Sequence, residues 1–566
     1  MLIPRLALAA LALMASLPFL VPVHTTPIPS FHAEWIAALL GMVASIALVG
    51  ASRLPLPGAA LLALACAGIA LLQMATGRAP MPQLTTLFVL YLLWAALLAC
   101  AASHLASLCG EARLARTLAL ALLLGAILAA LAGLFQPWLK SLGWTGFSAR
   151  QGGPLGQANH LASYLWLGLA SALYLRTTAN LAKPVFWAAA ILLTLAAVSA
   201  GQRSSFLYAA ALIGIAVWME RVRSMGAPSE ERRLALGIGL SFVLLQPVAL
   251  LLPTTGDEAA RPPPALRAAQ EIGGPSIRLQ LWRVGAIGVM AAPLLGNGIG
   301  SYPGLALGHA DEIAPADNPG PAEHAHNLPI DIGVELGVPA ALLLLLAAWA
   351  WLRRLPQRAA PAEVAWAAAV LAILGLHSLI EYPLWHTYFL GLLAIVAGAF
   401  GVGRQVGRRL APVALTLGLL AWGGLTLVEL QRDYKLLETA LALGKQPATL
   451  PQAQAALLRI PQTSLLSPWV NTTACVSLDP LRVPLDDGLA VCRIAMSFAP
   501  TVESGVNAAV LQWRAGDIDG ARSLLRRLKR ASLYAPGGIG ALLAKLAARD
   551  ARLGELMVSL ESDPWP

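Results

Sequence analysis

The sequence is short of charge. Of its 566 residues, 12% are Asp, Glu, Lys or Arg, about half of the roughly 25% that soluble domains carry. Hydrophobic residues make up 58% of the chain, more than a water-soluble globule can bury. The composition therefore excludes soluble, disordered and fibrous classes. It predicts an all-α polytopic membrane protein, in which each span takes about 20 apolar residues.

Cysteine is also scarce, with five in the chain, which excludes a disulfide-rich secreted domain. Cys66, Cys100 and Cys109 lie in or next to apolar runs. Cys475 and Cys492 lie in a polar C-terminal region. If that region is outside the cytoplasm, where oxidation is permitted, we expect these two to form a disulfide. Two buried free thiols are the alternative.

Apolar runs divide the chain. Thirteen candidate spans lie near residues 6–22, 34–50, 58–75, 84–102, 117–134, 157–175, 185–200, 206–219, 234–252, 328–351, 362–380, 386–402 and 412–428. This predicts N-terminal transmembrane helices over 1–252, a large loop over 253–327, C-terminal transmembrane helices over 328–428 and a helical domain over 429–566. The apolar stretch 284–295 is too short to span, so we expect it to be re-entrant or interfacial.

Basic residues predict the orientation of these spans. If the N-terminus is cytoplasmic, the loops on the inside carry 16 Lys and Arg and the short outside loops carry four, namely Arg78, Lys140, Arg150 and Arg203. Cytoplasmic loops are enriched in Lys and Arg. We therefore interpret the net charge of +10 as an orientation signal and expect no nucleic-acid partner. Thirteen spans place the C-terminus outside.

The C-terminal region carries a weak repeat. Residues 495–500 read AMSFAP and residues 531–536 read ASLYAP, 36 residues apart, and Ala-Gly-Asp at 515–517 lies between them. This resembles tetratricopeptide-like helix pairs, which repeat every ~34 residues. We expect a small helical domain of this kind.

Polar residues gather at the predicted outer ends of the spans. Gln157, Asn159 and His160 open one span after a Gly/Pro turn, and Glu381 and Tyr382 join two others. A simple turn, or ordinary interfacial Tyr and Trp anchors, is the alternative for each. We interpret these residues as positioning a substrate.

Three arginines and a histidine complete this set of candidate functional residues. Arg203 lies between two spans, and Arg278 and Arg283 precede the apolar stretch 284–295. Guanidinium groups suit phosphate oxygens, although snorkelling or contact with anionic lipid would also explain them. His326 lies where the large loop meets a span, and imidazole exchanges protons near neutral pH. It is a candidate general base, whereas His324 is expected to be a loop residue.

Five motifs together resemble one superfamily. They are GPLGQANH at 153–160, Arg278 with Trp282, GNGIG at 296–300, His326-Asn327 with Gly337 eleven residues after the histidine, and EYPLW at 381–385. This set is similar to the Wzy/WaaL O-antigen ligase superfamily, and most similar to bacterial protein O-oligosaccharyltransferases of the PglL (PilO-like) type. The resemblance covers about residues 5–430 in topology.

The resemblance implies a GT-C-like glycosyltransferase of the bacterial inner membrane. It implies a polyprenyl (undecaprenyl) diphosphate-linked oligosaccharide as donor and a periplasmic or pilin-like protein as acceptor. Arg203, Arg278 and Arg283 would contact the donor diphosphate. His326 would be catalytic, and Gln157, Asn159, His160, Asn327, Glu381 and Tyr382 would position substrate.

The resemblance implies no nucleotide cofactor. The sequence contains no Walker loop and no HExxH motif, and the acidic residues Asp311, Glu312 and Asp317 do not have EF-hand spacing. We therefore expect no cofactor and no metal.

Four alternatives stay open. An O-antigen ligase would use the same chemistry on lipid A-core, and an O-antigen polymerase would extend another lipid-linked glycan. The repeat-like C-terminal region favours a protein acceptor over both. A transporter or flippase would need polar residues within the spans, which we expect to be nearly free of charge. A purely structural membrane protein is disfavoured by the polar residues on one side.

The predicted topology has a direct test. Alkaline phosphatase fused after Pro566 should be active, because it folds only outside the cytoplasm. Green fluorescent protein at the same position, exported by the general pathway, should stay dark. A bright fluorescent fusion with an inactive phosphatase fusion would place the C-terminus and the polar residues inside.

Overall fold

The computed structural model describes residues 2–142, 152–223, 229–251, 263–270, 277–312, 320, 322–354, 361–407, 410–531 and 538–561. These residues form α-helices, short 3₁₀ segments and one two-stranded sheet. Two compact units divide the chain. The first unit comprises Met1–Ala65, Tyr91–Gly274 and Leu344–Leu427, and the second comprises Cys66–Leu90, Pro275–Leu343 and Val428–Pro566.

The described residues contain 25 α-helices, numbered here in chain order. The first ten are α1 Leu2–Met14, α2 Phe31–Ser45, α3 Gly58–Ala75, α4 Pro82–Cys109, α5 Glu111–Leu134, α6 Gln136–Ser141, α7 Ala158–Thr178, α8 Lys183–Ser199, α9 Ser204–Val222 and α10 Glu230–Leu244. The next eight are α11 Pro264–Gln270, α12 Ile277–Ala291, α13 Tyr302–Gly308, α14 Leu328–Leu336, α15 Val338–Arg354, α16 Ala362–Ser378, α17 Thr387–Ala399 and α18 Leu410–Leu443. The C-terminal ones are α19 Leu450–Leu458, α20 Ser467–Ser477, α21 Leu485–Phe498, α22 Val502–Arg514, α23 Ile518–Ala531, α24 Gly538–Ala547 and α25 Gly554–Glu561.

Every predicted apolar run falls on a helix, which supports an all-α multi-pass membrane protein. Seven helical segments of the described chain are long and apolar enough to cross a membrane by themselves: Leu2–Leu20, Phe31–Gly50, Gly58–Ala75, Pro82–Cys109, Glu111–Leu134, Ser204–Val222 and Pro412–Leu443. The full number of thirteen stays a prediction. The run 328–351 differs from the expected single helix, because it is broken at Gly337 into α14 and α15.

Small residues bring the central helices of the first unit together. α5 packs along α7, and a β-carbon added at Gly168 would lie 2.4 Å from the Ala126 side chain. One added at Gly125 would lie 2.0 Å from the Tyr164 hydroxyl, which donates to Ala15 O at 3.0 Å. Helices in lipid gain stability mainly from such close packing, since lipid tails are as apolar as leucine.

Contacts between loops of the first unit form two sets, at opposite ends of its helices. One set consists of the antiparallel pair β1 Leu54–Pro57 with β2 Gly403–Val406, the Arg176–Glu230 ion pair and the Tyr174–Glu363 hydrogen bond. The other consists of His24 with Pro154 O, Asn159 with Glu381, and Arg267 with Gly201 O. Each contact joins two loops that the basic residues assign to the same side of the membrane, and the orientation of the spans stays a prediction.

The second unit combines the C-terminal region with part of the predicted large loop. Within the C-terminal region α20, α21, α22 and α23 pack in sequence, each against the next. Thr501 and Ser504 form a capping box at the start of α22, which satisfies two backbone N–H groups at that helix end. A tetratricopeptide-like architecture stays a prediction, because the second copy of the repeat, at 532–536, lies outside the described residues.

The boundary predicted at 428/429 falls inside a helix. α18 runs from Leu410 to Leu443 without interruption, because the sequence becomes more polar there while its helix-forming residues continue.

The predicted acidic loop also has a structural role. Asp311 pairs with Arg526, Arg527 and Arg530 of α23 at 3.1–3.3 Å.

Glu312, the next residue of that loop, accepts from His309 at 2.7 Å. Asp317 lies outside the described residues. The loop and α23 are therefore joined by ion pairs within the second unit.

The structure joins Cys475 of α20 to Cys492 of α21 in a disulfide, with the Cα atoms 5.1 Å apart. Both side chains are buried. The cross-link closes a separation of 17 residues, a loop for which the chain-entropy model gives about 3 kcal/mol of stabilisation.

This disulfide should be detectable by alkylation. In denatured, unreduced protein, maleimide should label Cys66, Cys100 and Cys109, which are free, and leave Cys475 and Cys492 unlabelled until a reductant is added. Peptide mass spectrometry distinguishes the five sites. Labelling of Cys475 and Cys492 without reductant would show that they are free thiols.

Candidate functional site

The predicted polar residues fall in both units. Those in the first unit are Gln157, Asn159, His160, Arg203, Glu381 and Tyr382, and those in the second are Arg278, Arg283, His326 and Asn327. Each group is described by itself below.

A glycine turn sets the start of α7. Gly156 has φ +70°, a conformation that glycine adopts without a Cβ penalty. A β-carbon there would lie 2.8 Å from the His24 ring, so glycine is also required by space. Gln157 follows as the N-cap of α7. The Gly-Pro motif thereby fixes where Asn159 and His160 begin the helix.

Asn159 and Glu381 are brought together across 222 residues of sequence. The Asn159 side-chain amide donates to Glu381 Oε1 at 2.5 Å. Glu381 is 4% exposed. A buried carboxylate requires such a donor, because its desolvation is otherwise costly. This bond ties the first turn of α7 to the segment that carries Tyr382, so residues of two of the predicted motifs lie together.

Behind this bond lies a cluster of three histidines. The His160 ring centroid is 4.7 Å from that of His386 and 5.4 Å from that of His377. Tyr382 stacks on His386 with centroids 5.9 Å apart. His160 and His377 are at most 2% exposed. Among the described residues, no hydrogen-bond partner is present for His160 Nε2, His386 Nε2 or either ring nitrogen of His377.

Glu34, at the start of α2, extends this cluster. Its carboxylate contacts His386 Nδ1 at 3.3 Å and accepts from Thr387 at 3.3 Å and from the Tyr91 hydroxyl at 3.4 Å. The cluster therefore contains acid, hydroxyl and imidazole groups. Within the described chain, no group of three or more His, Cys, Asp or Glu could hold a metal ion.

Arg203 is the half-buried N-cap residue of α9. Neighbouring Gly201 accepts, through its carbonyl, a hydrogen bond from Arg267 at 2.9 Å. A second arginine that sequence analysis did not select therefore lies at the same end of the helices.

In the second unit, α12 carries Arg278 and Arg283. Arg278 is half-buried and Arg283 is exposed, which agrees with the ~140° that an ideal helix places between them. A β-carbon at Gly285 would lie 2.4 Å from Ile330 and 3.7 Å from Ala325. The arginine-bearing half of α12 therefore lies near the end of α14 at which His326 is found.

His326 immediately precedes the cap of α14. Asn327 is the N-cap, and its side-chain oxygen accepts from Ile330 N at 3.4 Å. His326 has φ +53°, which is unusual for a residue other than glycine. Such a conformation costs of order 1–3 kcal/mol and persists only where its surroundings hold it, often at functional sites.

The loop Gly296–Gly300, which carries the GNGIG motif, holds the other end of α14. Asn297 N donates to Val334 O at 2.8 Å, and Gly298 N donates to Glu335 O at 3.1 Å. The Glu335 side chain accepts from Gly300 N at 3.0 Å. The GNGIG motif therefore supplies hydrogen-bond donors to the end of a broken helix.

Sequence analysis missed several buried ionisable residues. Asp331 and Glu335, each 1% exposed, lie within the predicted span 328–351, and half-buried Glu34 begins another. The expectation that the spans are nearly free of charge was therefore wrong at these positions. The signal was present at Asp331, since a carboxylate inside an apolar run and five residues from the candidate base is itself a candidate functional residue.

Two family comparisons match the chain. Residues 188–345 match the O-antigen ligase family Wzy_C. Residues 365–532 match Wzy_C_2, described as virulence factor membrane-bound polymerase, C-terminal. No curated protein matches the chain.

Gly337 should be intolerant of a side chain. It has φ +89°, and a β-carbon would lie 2.5 Å from Leu294 O. Gly337→Ala should lower the free energy of unfolding by at least about 1–2 kcal/mol from the backbone alone, with a lower melting temperature by tryptophan fluorescence. Gly308→Ala is the control, because nothing lies within 4 Å of its β-carbon position and alanine favours a helix. Equal melting temperatures for the two variants would contradict the close approach at Gly337.

Proposed function

The two matches place the chain in the Wzy/WaaL ligase superfamily, and on this basis we propose that it is a protein O-oligosaccharyltransferase. It transfers a preassembled oligosaccharide from undecaprenyl diphosphate to Ser or Thr hydroxyls of periplasmic or pilin-like proteins. The chain lies in the inner membrane, and the reaction takes place on its periplasmic side. The observation that carries the proposal is His326, held in a left-handed conformation next to arginine-bearing α12.

The proposed reaction displaces a diphosphate. The acceptor hydroxyl oxygen attacks the anomeric carbon of the first sugar, and a new C–O bond forms. The bond between that carbon and the phosphate oxygen breaks, and undecaprenyl diphosphate leaves with the electron pair. His326 takes the hydroxyl proton as general base.

Arginines stabilise the leaving diphosphate. Arg203, Arg278 and Arg283 offer guanidinium groups, which remain charged and bind phosphate oxygens in pairs. Between the two on α12, Arg278 is the better candidate for the diphosphate, because it is half-buried while Arg283 is exposed. Asn327 fixes the start of α14 and thereby the position of His326.

The residues around α7 position substrate in this proposal. Gln157, Asn159 and His160 lie in the first turn of that helix, and Asn159 is bonded to Glu381. Tyr382, stacked on His386, offers a flat ring and a hydroxyl, which suit contact with a sugar or a peptide.

The C-terminal region supports a protein acceptor. Its sequentially packed helices provide a surface outside the apolar spans, which a lipid A-core or lipid-linked glycan acceptor does not require. These acceptors define the alternatives, an O-antigen ligase and an O-antigen polymerase. Transport is disfavoured, because both family matches concern ligation or polymerisation.

Mass spectrometry of periplasmic proteins tests the function. Cells that lack the chain should lose a glycan from Ser or Thr of specific periplasmic proteins and regain it when the chain is restored. Loss of the lipopolysaccharide ladder, with protein glycans unchanged, would instead identify an O-antigen ligase or polymerase.

Variants of His326, expressed in the same cells, test its proposed role as the general base. His326→Asn should reduce glycan transfer by about 10²–10⁴-fold, the usual contribution of general-base catalysis. Asparagine tolerates positive φ, so the loop should keep its shape and the protein its membrane level. His324→Ala is the matched control and should transfer at close to the wild-type rate. Near-normal transfer by His326→Asn would show that His326 is not the base.

A further inference from the structure

The carboxylate of Asp331 lies at the loop that carries His326. Asp331 is in the first turn of α14 and is 1% exposed. Its Oδ1 accepts from Ala325 N at 2.7 Å, and the N–H of Asn327 is directed at the same carboxylate. The two donors are the residues on either side of His326.

This arrangement accounts for the left-handed backbone conformation of His326. A residue with φ +53° needs external support, since the left-handed conformation is unfavourable for a side chain with a β-carbon. The N–H groups of Ala325 and Asn327 are held by one carboxylate, so the peptide unit that follows His326 and the one that precedes Ala325 are both fixed.

The second oxygen of the Asp331 carboxylate bears on how the His326 ring is oriented. Asp331 Oδ2 is buried and accepts no hydrogen bond within the described part of the chain, although Asp331 and His326 interact electrostatically. A buried carboxylate with an uncommitted oxygen beside a histidine can receive a ring N–H. Enzymes that use a histidine base commonly orient it with a carboxylate in this way.

We propose that Asp331 is a positioning residue for His326. It holds the loop through the flanking backbone, orients the imidazole and stabilises the imidazolium that forms when the acceptor proton is taken. Asp331 itself gains no proton and contacts no substrate. This inference rests on the proposed role of His326 as base.

The test compares two buried carboxylates of one helix. Asp331→Asn keeps an oxygen for Ala325 N but removes the charge. Glu335→Gln is the matched control, because Glu335 is equally buried on α14 yet accepts from Gly300. Transfer is measured in membranes containing the full chain. The donor is undecaprenyl diphosphate-linked oligosaccharide from the same cells, and the acceptor is the unglycosylated form of the protein identified by mass spectrometry.

Asp331→Asn should lower kcat by about 10- to 100-fold, the usual cost of losing a partner that orients a functional histidine, with KM for the donor little changed. Glu335→Gln should keep kcat near that of the wild type. In a His326→Asn background, Asp331→Asn should cause no further loss, because the two residues act as one unit.

Three outcomes would overturn the inference. They are a wild-type kcat for Asp331→Asn, equal losses for Asp331→Asn and Glu335→Gln, and an undiminished loss for Asp331→Asn in the His326→Asn background. If Asp331→Asn does not accumulate, Asp331→Glu replaces it. Its longer side chain displaces the charge, so a reduced kcat is expected and a wild-type kcat would also overturn the inference. Normal transfer by His326→Asn alone would instead refute the base assignment.

Discussion

The C-terminal end of α14 imposes the constraint on which the second unit depends. A helix that ends within an apolar span leaves carbonyl groups without their usual partners, and lipid cannot supply them. Here the protein supplies them. Asn297 and Gly298 donate to the carbonyls of Val334 and Glu335, and the side chain of Gln73, on α3, donates to Glu335 O at 2.6 Å.

Because the carbonyl groups at its C-terminal end are hydrogen-bonded, α14 can end at Leu336. Its first turn then carries the histidine loop, and the helix packs against α12, the helix that carries Arg278 and Arg283. The positions of His326, Asn327 and Asp331 all follow from where this helix begins and ends. A broken helix, which hydropathy alone would not distinguish from a continuous span, therefore positions the proposed site residues of this unit.

The sequence predicted the helices better than the contacts between them. Apolar runs are sufficient to locate membrane helices, because every backbone group in lipid must be paired within its own segment. The break at Gly337 was missed, since a positive φ leaves hydropathy unchanged. The bond between Asn159 and Glu381 joins residues 222 apart, and no local pattern encodes such a pairing. The individual residues were selected for their chemistry, whereas their arrangement required the structure.

The contacts between loops of the first unit restrict how often the chain crosses the membrane. Two loops joined by a hydrogen bond lie on the same side, so an even number of crossings must separate them. Tyr174, at the end of α7, bonds to Glu363, at the start of α16. Between them lie α8, α9, α10 and the stretch from 245 to 361. With each of those three helices crossing once, this stretch must cross an odd number of times. The Tyr174–Glu363 bond thus ties the number of crossings in this stretch to the number that α8, α9 and α10 make.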